Sequence, residues 1–303
     1  MKKTLPFIII TCLVSWLCAC VLYLFDWKVM SLQYNLFGMF YMLIPAAVAI
    51  LLQKVKYKEE LRSSLSISFR INRWFFVAVL TPLVMVVLAI VVGALLPEVT
   101  FSASGDGMLS SYTSMLFPEA AGVQTGIMNV AVILLVILSG LLAACTVNAL
   151  FALGEELGWR GYMLRHLSDW SCLKVAVFTG VIWGIWHFPL ILKGHNYPTH
   201  PVIGVFMMIG FCVLLSPVMT YLVIKSKSVI SAAVFHGSIN AFAASPLLFL
   251  TGGSDLTVGL TGYSGFIAIA VINLLFFLFD RYITKERIFT RPVLDFVKYD
   301  LKK

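Results

Sequence analysis

Eight long apolar runs constrain this chain more than any other feature of its sequence. A helix that crosses the hydrocarbon core of a membrane needs about 20 apolar residues. Backbone polar groups in lipid must be satisfied within the protein, so such runs predict helices. We therefore expect an all-α fold, a polytopic membrane helical bundle of about eight transmembrane helices. The eight runs are Leu5–Phe25, Leu36–Leu52, Trp74–Leu96, Ile127–Leu153, Val175–Leu192, Val202–Ile224, Val229–Leu250 and Tyr263–Phe279.

The composition agrees with a membrane environment. Hydrophobic residues make up 60% of the chain and charged residues only 12%, whereas a soluble domain carries about 25% charged residues. No Gly- or Ser-rich linker divides the sequence, which indicates a single membrane domain over residues 1–303. The six cysteines are scattered through apolar runs, where small packing residues are expected.

The positive charges are distributed unevenly over the loops. All but two of the 22 Lys and Arg residues lie at the termini, in alternate loops or at the end of the fourth run, the exceptions being Lys28 and Lys193. Cytoplasmic loops are rich in Lys and Arg. The pattern predicts that the N- and C-termini are both cytoplasmic. It also indicates that the basic residues behind the net charge of +8 contact the lipids at the membrane surface. We therefore expect no nucleic acid as a partner.

The start Met1-Lys2-Lys3 before an apolar run is similar to a signal peptide, and Leu17-Cys18-Ala19-Cys20 is similar to a lipoprotein cleavage site. Cleavage there would leave seven spans and break the pairing of basic loops. We therefore expect the first run to remain as a span.

The charged segment Lys54–Arg73 lies between the second and third runs. Its residues Ser66–Ile71 alternate more like a strand than a helix. A segment on the membrane surface and a solvated loop are both compatible with this pattern.

Ionisable residues inside membrane helices are costly and are functional candidates by default. The first cluster continues the fourth run, in the order Gly154-Glu155-Glu156-Leu157-Gly158-Trp159-Arg160-Gly161. Glu156 and Arg160 are four residues apart, so they share a helix face and can pair. Glu155 is rotated by about 100° and lacks that partner. The alternative is that both carboxylates are surface groups at a helix end.

Two further clusters contain histidine. His187 lies among aromatic and apolar residues in the fifth run, shortly before Pro189. His236 and Asn240 lie four residues apart in the seventh run and therefore on one helix face. Each cluster could be purely structural, His187 beside the carbonyl that Pro189 frees and His236 with Asn240 as an interhelical hydrogen-bonding pair.

Together, the clusters indicate chemistry. Unpaired polar groups in hydrocarbon cost several kcal/mol each, which favours their mutual contact. A carboxylate and an imidazole accept protons, and a second imidazole and an amide can donate to an oxyanion. Such a constellation can activate water.

The three motifs resemble those of the CPBP family, the CAAX proteases and bacteriocin-processing enzymes, also called the Abi family. The family pattern is EExxxR, then FxxxH, then HxxxN or a similar last position. Here it covers residues 151–244 as a catalytic core and reads Glu155-Glu156-xxx-Arg160, Trp183-xxx-His187 and His236-xxx-Asn240. Trp183 departs from the usual Phe, an aromatic exchange that we expect to shift packing without altering the chemistry.

The resemblance implies a role for each residue. Glu155 would be the general base, with His187 helping to hold the water. His236 and Asn240 would form an oxyanion hole, and Glu156, Arg160 and Trp183 would support the site structurally.

The resemblance also leaves a metal open. Zinc is possible, with Glu155, His187 and His236 as three ligands and water in the fourth position. Glu155 would then be a ligand, and the base would have to come from elsewhere. We therefore expect a glutamate-dependent hydrolase with no obligatory cofactor.

Three classes of function follow. The leading hypothesis is an endopeptidase that cleaves a membrane-associated peptide or protein substrate in a bacterial cytoplasmic membrane. A non-catalytic scaffold, or an immunity or abortive-infection protein, is the alternative, although a scaffold need not retain the four proposed catalytic residues together. Intramembrane Glu and His also suit a proton-coupled transporter, but we detect no internal repeat of the kind many transporters show.

Overall fold

The fold is almost entirely helical. A computed structural model describes residues 2–103 and 130–297 of the chain. The helices in chain order are α1 (Thr4–Leu24), α2 (Leu32–Tyr41), α3 (Ile44–Ile50), α4 (Leu61–Ser64), α5 (Arg73–Ala94), α6 (Val130–Cys145), α7 (Val147–Glu156), α8 (Leu164–His166), α9 (Cys172–Trp186), α10 (Phe188–Leu192), α11 (Pro201–Ser226), α12 (Val229–Phe242), α13 (Pro246–Phe249) and α14 (Tyr263–Leu278).

Shorter elements complete the fold. Wider π-type turns extend three of the helices, at Leu51–Lys56, Leu157–Met163 and Phe279–Thr284. Single 3₁₀ turns lie at Ile288–Thr290 and Val293–Asp295. Two short strands, β1 (Thr100–Phe101) and β2 (Leu250–Thr251), pair antiparallel.

Each of the eight apolar runs is mostly helical where the structure describes it, with short breaks such as residues 42–43 and 243–245. Residues 127–129 of the fourth run lie outside the described residues. Within the described part of the chain, six helical segments are long and apolar enough to cross a membrane, or seven if the bent pair Ile137–Cys145 and Val147–His166 is one span. The fifth run falls short because α9 has 15 residues and breaks before α10. The predicted all-α, multi-pass membrane bundle is confirmed, with six or seven qualifying spans where about eight were expected.

Glycines bring the motif-bearing helices close together. A Cβ on Gly184 of α9 would lie 2.4 Å from Ile209 Cα on α11. A Cβ on Gly237 of α12 would lie 2.5 Å from the carbonyl oxygen of Ala144 at the end of α6. Both distances are to backbone atoms, so no side chain can move aside. The backbones of these helices approach closely because glycine occupies the contact, as is common between membrane helices.

The two ends of the described chain lie at the same end of the bundle. The Tyr162 hydroxyl donates to the carbonyl of Lys3 at 3.0 Å. Ten residues further on, the Cys172 amide donates to the carbonyl of Arg291 at 3.0 Å. This arrangement fits the predicted cytoplasmic position of both termini, and which side of the membrane they occupy stays a prediction.

The segment between α3 and α5 is neither a strand nor a free loop. Leu65 is fully buried, and residues 66–71 have no regular secondary structure. The Ser228 hydroxyl donates to the Ser68 carbonyl at 2.6 Å, and the Val229 amide donates to the Ser66 carbonyl at 2.9 Å. The strand-like alternation of residues 66–71 therefore does not produce a strand, and the segment docks across the turn between α11 and α12 while residues 69–71 stay exposed.

Candidate active site

The candidate site lies where three helical segments meet inside the bundle. Glu155 and Glu156 end α7, His187 follows the last residue of α9, and His236 lies within α12. None of these four side chains is more than 8% exposed. The structure therefore brings together charged and polar residues from all three sequence motifs in a largely dehydrated region.

Glu156 is the centre of an ionic cluster. The Arg160 guanidinium lies 3.1 Å from Glu156 Oε2, as the four-residue spacing indicates. His236 Nδ1 lies 2.9 Å from Glu156 Oε1. Arg160 also donates to the Ser216 hydroxyl on α11 at 2.8 Å. A buried carboxylate needs such partners because an uncompensated charge would be very costly there.

Ser216 and the His236–Glu156 contact were not found by sequence reasoning. Ser216 is a lone serine inside an apolar run, which gives no distinguishing signal. Glu156 and His236 are 80 residues apart, so no helical periodicity connects them.

Glu155 has a partner that the spacing did not indicate. The Trp183 indole N–H donates to Glu155 Oε2 at 2.6 Å, and both residues are 2% exposed. Sequence reasoning left Glu155 without a partner because it compared only residues on the same helix. The bond crosses from α7 to α9, and only the tertiary structure reveals it.

His187 lies at the break between α9 and α10. Pro189 has no amide hydrogen, and the His187 amide bonds the Gly184 carbonyl at 3.2 Å. The His187 ring bonds the Trp183 carbonyl through Nδ1 at 2.8 Å. A carbonyl only accepts, so Nδ1 carries the hydrogen, and Nε2 of the neutral ring has a lone pair. His187 thus caps a helix end, as the structural alternative suggested, and also presents a proton acceptor.

The first two apolar runs hold this helix break in place. The Tyr41 hydroxyl and the Trp16 indole donate to the Trp186 carbonyl at 3.1 and 3.3 Å. The Trp186 indole in turn donates to the Ser15 hydroxyl at 2.7 Å, and the Tyr23 hydroxyl donates to the Pro189 carbonyl at 2.7 Å. Buried Tyr and Trp usually find such partners for their polar ends. These residues support the site although no motif marks them.

Asn240 is placed differently from the other candidates. It lies one turn beyond His236 on α12, and its side chain is exposed. Among the residues that the structure describes, Asn240 forms no hydrogen bond with the other members of the site. His236 and Asn240 thus share α12 without a hydrogen bond between them, and their oxyanion role stays a prediction.

The possible zinc site is not assembled either. Within residues 2–103 and 130–297, no group of three or more His, Cys, Asp or Glu side chains is arranged to hold a metal ion. Two of the three suggested ligands have other partners, Glu155 with Trp183 and His236 with Glu156. The donor set of Glu155, His187 and His236 does not fit zinc in this arrangement.

Comparisons with known proteins agree with the motifs. Residues 130–242 match the family model described as type II CAAX prenyl endopeptidase, Rce1-like. The CAAX prenyl protease 2 of Methanococcus maripaludis is 34% identical over 125 residues, which cover 39% of this chain and 44% of that protein. The match thus spans less than half the length of this relative. Residues 130–242 include Glu155, His187 and His236, and this part of the chain is similar to the type II CAAX prenyl endopeptidase family.

Proposed function

We propose that the protein is a membrane endopeptidase that hydrolyses a peptide bond in a membrane-associated peptide or protein. The observation that carries this proposal is the contact of the three motifs in one buried site, with Glu155, His187 and His236 on different helices. The name of the Methanococcus maripaludis relative, CAAX prenyl protease 2, supports the same reaction class.

Glu155 acts as the general base in this proposal. Its Oε2 is bound by the Trp183 indole, which leaves Oε1 as the oxygen that can take a proton from water. His187 orients the same water, because its Nδ1 is fixed on the Trp183 carbonyl and the Nε2 lone pair can accept a hydrogen bond. General-base assistance of this kind contributes about 10²- to 10⁴-fold to a rate.

His236 serves the developing oxyanion. Its Nδ1 faces the Glu156 carboxylate at 2.9 Å, and a protonated ring would donate from Nε2 while Glu156 compensates its charge. Arg160 holds Glu156 in place from the other side. Asn240 would add a second donor if substrate binding directed its amide toward the same oxygen.

The reaction balances with these groups alone. Water transfers a proton to Glu155, and the resulting hydroxide attacks the scissile carbonyl carbon to form a tetrahedral intermediate. When the intermediate collapses, the C–N bond breaks and the proton on Glu155 passes to the leaving amine. No obligatory cofactor is needed for this sequence.

The substrate class follows from the location of the site. A site enclosed by apolar helices suits a substrate that is already at the membrane, and the basic loops indicate entry from the cytoplasmic side of a bacterial cytoplasmic membrane. We propose a peptide or membrane protein as the substrate, and a prenylated C-terminus is a second substrate to be tested.

The test compares Glu155→Gln with the wild type in detergent on quenched-fluorescence peptides that include leader-peptide, CAAX-like and prenylated CAAX sequences. Glutamine keeps the shape of the side chain and an oxygen for Trp183 but is not a base, so we expect cleavage to fall at least about 100-fold. Glu286→Gln is the matched control, because Glu286 pairs with Lys225 outside the site. Equal cleavage by wild type and Glu155→Gln would remove Glu155 from the mechanism. No cleavage by the wild type on any peptide would favour the non-catalytic scaffold.

A further inference from the structure

We propose that Trp183 is a positioning residue for Glu155, acting through its indole N–H. The inference rests on the proposed function, in which Glu155 is the base. Trp183 binds Oε2 and thereby directs Oε1 of the same carboxylate toward water.

The geometry of the contact supports this role. The Trp183 Nε1 and Glu155 Oε2 are 2.6 Å apart, slightly shorter than the distance of about 2.7–2.9 Å usual for charge-assisted N–H···O hydrogen bonds. An indole nitrogen can only donate and a carboxylate can only accept, so the direction of this bond is not ambiguous. Both residues are buried, so water cannot easily replace the donor.

Trp183 is itself held from several sides. The Arg160 guanidinium lies over its ring, 4.5 Å from the centroid. The centroid of the His236 ring lies 5.2 Å away, in an edge-on arrangement. The Trp183 carbonyl accepts the His187 ring. A ring fixed in this way can fix the orientation of the carboxylate that it binds.

These contacts connect Trp183 to all three motifs. Its N–H contacts Glu155, its carbonyl contacts His187, and its ring contacts Arg160 and His236. Any residue at this position would supply the carbonyl, and any aromatic residue would supply a ring. Of these three contributions, only the indole N–H is specific to tryptophan.

The proposed role differs from the sequence-based expectation that the aromatic exchange at this position leaves the chemistry unaltered. A Phe in the FxxxH pattern has no donor, so an exchange of Phe for Trp changes the chemistry as well as the packing. In this chain the departure adds a hydrogen bond to the proposed base.

The first experiment does not require activity. Ultraviolet resonance Raman spectra of wild type minus Trp183→Phe isolate the indole bands of Trp183, which report the strength of its N–H hydrogen bond. We expect a strong hydrogen bond that weakens when the same difference is measured in the Glu155→Gln background, since an amide oxygen is a weaker acceptor than a carboxylate. Indole bands that are identical in the two backgrounds would overturn the contact.

The second experiment measures kcat and KM on a cleaved peptide. For Trp183→Phe we expect kcat to fall about 10- to 100-fold with KM unchanged, the size expected for a lost hydrogen bond to a charged group. Replacing Trp183 by benzothienylalanine keeps the bicyclic ring and removes only the donor, so it should lose as much activity as Phe. Trp170→Phe, the same exchange outside the site, should leave kcat unchanged.

The outcomes separate the two proposals. If benzothienylalanine retains wild-type kcat, the ring and not the N–H matters, and the positioning role is overturned. If the Raman bands show the bond but the wild type cleaves nothing, the contact stands while the proposed function, and with it the role in catalysis, fails. Thermal unfolding of each variant in detergent identifies any loss that comes from misfolding.

Discussion

Two adjacent glutamates in this protein have different surroundings. Glu156 faces a guanidinium and an imidazole and is fully buried. Glu155 faces an indole N–H, a neutral donor, and forms no direct ion pair with the described residues. The difference arises because consecutive helical residues point about 100° apart. In the proposed mechanism this difference separates a structural carboxylate, Glu156, from the general base, Glu155.

The Glu156–Arg160 pair provides a stability prediction. Arg160→Met leaves a buried carboxylate with only His236 beside it, so we expect the free energy of unfolding to fall by about 3–5 kcal/mol. The double variant Glu156→Gln/Arg160→Met should lose less unfolding free energy than the two single variants lose together, since neither charge remains unpaired. Unfolding of all four proteins in mixed micelles measures this cycle. Additive effects would show that the pair contributes no coupling.

Part of this residue-scale arrangement could be predicted from sequence. The Glu156–Arg160 pair follows from helical spacing, and the three motifs identified the candidates. Ser216, Trp183 as a donor and His236 as a partner of Glu156 did not follow, because each contact joins helices that are far apart in the chain.

At the scale of elements, the short helix α9 determines where the site forms. It ends at Trp186, one residue before His187, and the Trp186 carbonyl is bound by side chains from the first two apolar runs. A continuous helix would satisfy this carbonyl internally. The break, with Pro189 just beyond it, thus frees Trp183 O for the histidine ring.

The contact between α9 and α11 provides the second prediction. Gly184→Ala places a Cβ 2.4 Å from the backbone of Ile209, so the helices must separate, and we expect a loss of about 1–3 kcal/mol in unfolding free energy. Gly38→Ala is the matched control, because no atom lies within 4 Å of its new Cβ. That change should stabilise the protein by about 0.5–1 kcal/mol, as alanine does in helices. Equal stabilities of the two variants would contradict the close packing.

At the scale of the whole molecule, the bundle combines an apolar exterior with a polar interior. Large apolar side chains such as Leu17, Leu135 and Phe206 are 66–72% exposed, as lipid-facing residues should be. The ionic cluster of Glu156, Arg160 and His236 lies inside. Such a distribution is the reverse of a soluble protein and fits the multi-pass membrane location.

The orientation of the bundle is the third prediction. The basic loops and the shared end of Lys3 and Arg291 predict that both termini face the cytoplasm. A fluorescent protein that matures only in the cytoplasm should be bright when fused after residue 303. An alkaline phosphatase that is active only outside the cytoplasm should be active when fused at Gly194, between α10 and α11. The opposite pattern would invert the topology.

Local features of the amino-acid sequence predict the helical class, the membrane environment, the order of the apolar runs and the residues of the three motifs. These properties depend on local composition and on the 3.6-residue period, which a single sequence displays directly. The folded chain alone reveals which groups pair across helices, how the first two apolar runs brace the break at His187, and that Trp183 donates to Glu155. These contacts escape sequence reasoning because a buried polar group takes its partner from whichever helix packs beside it, and packing depends on the whole chain.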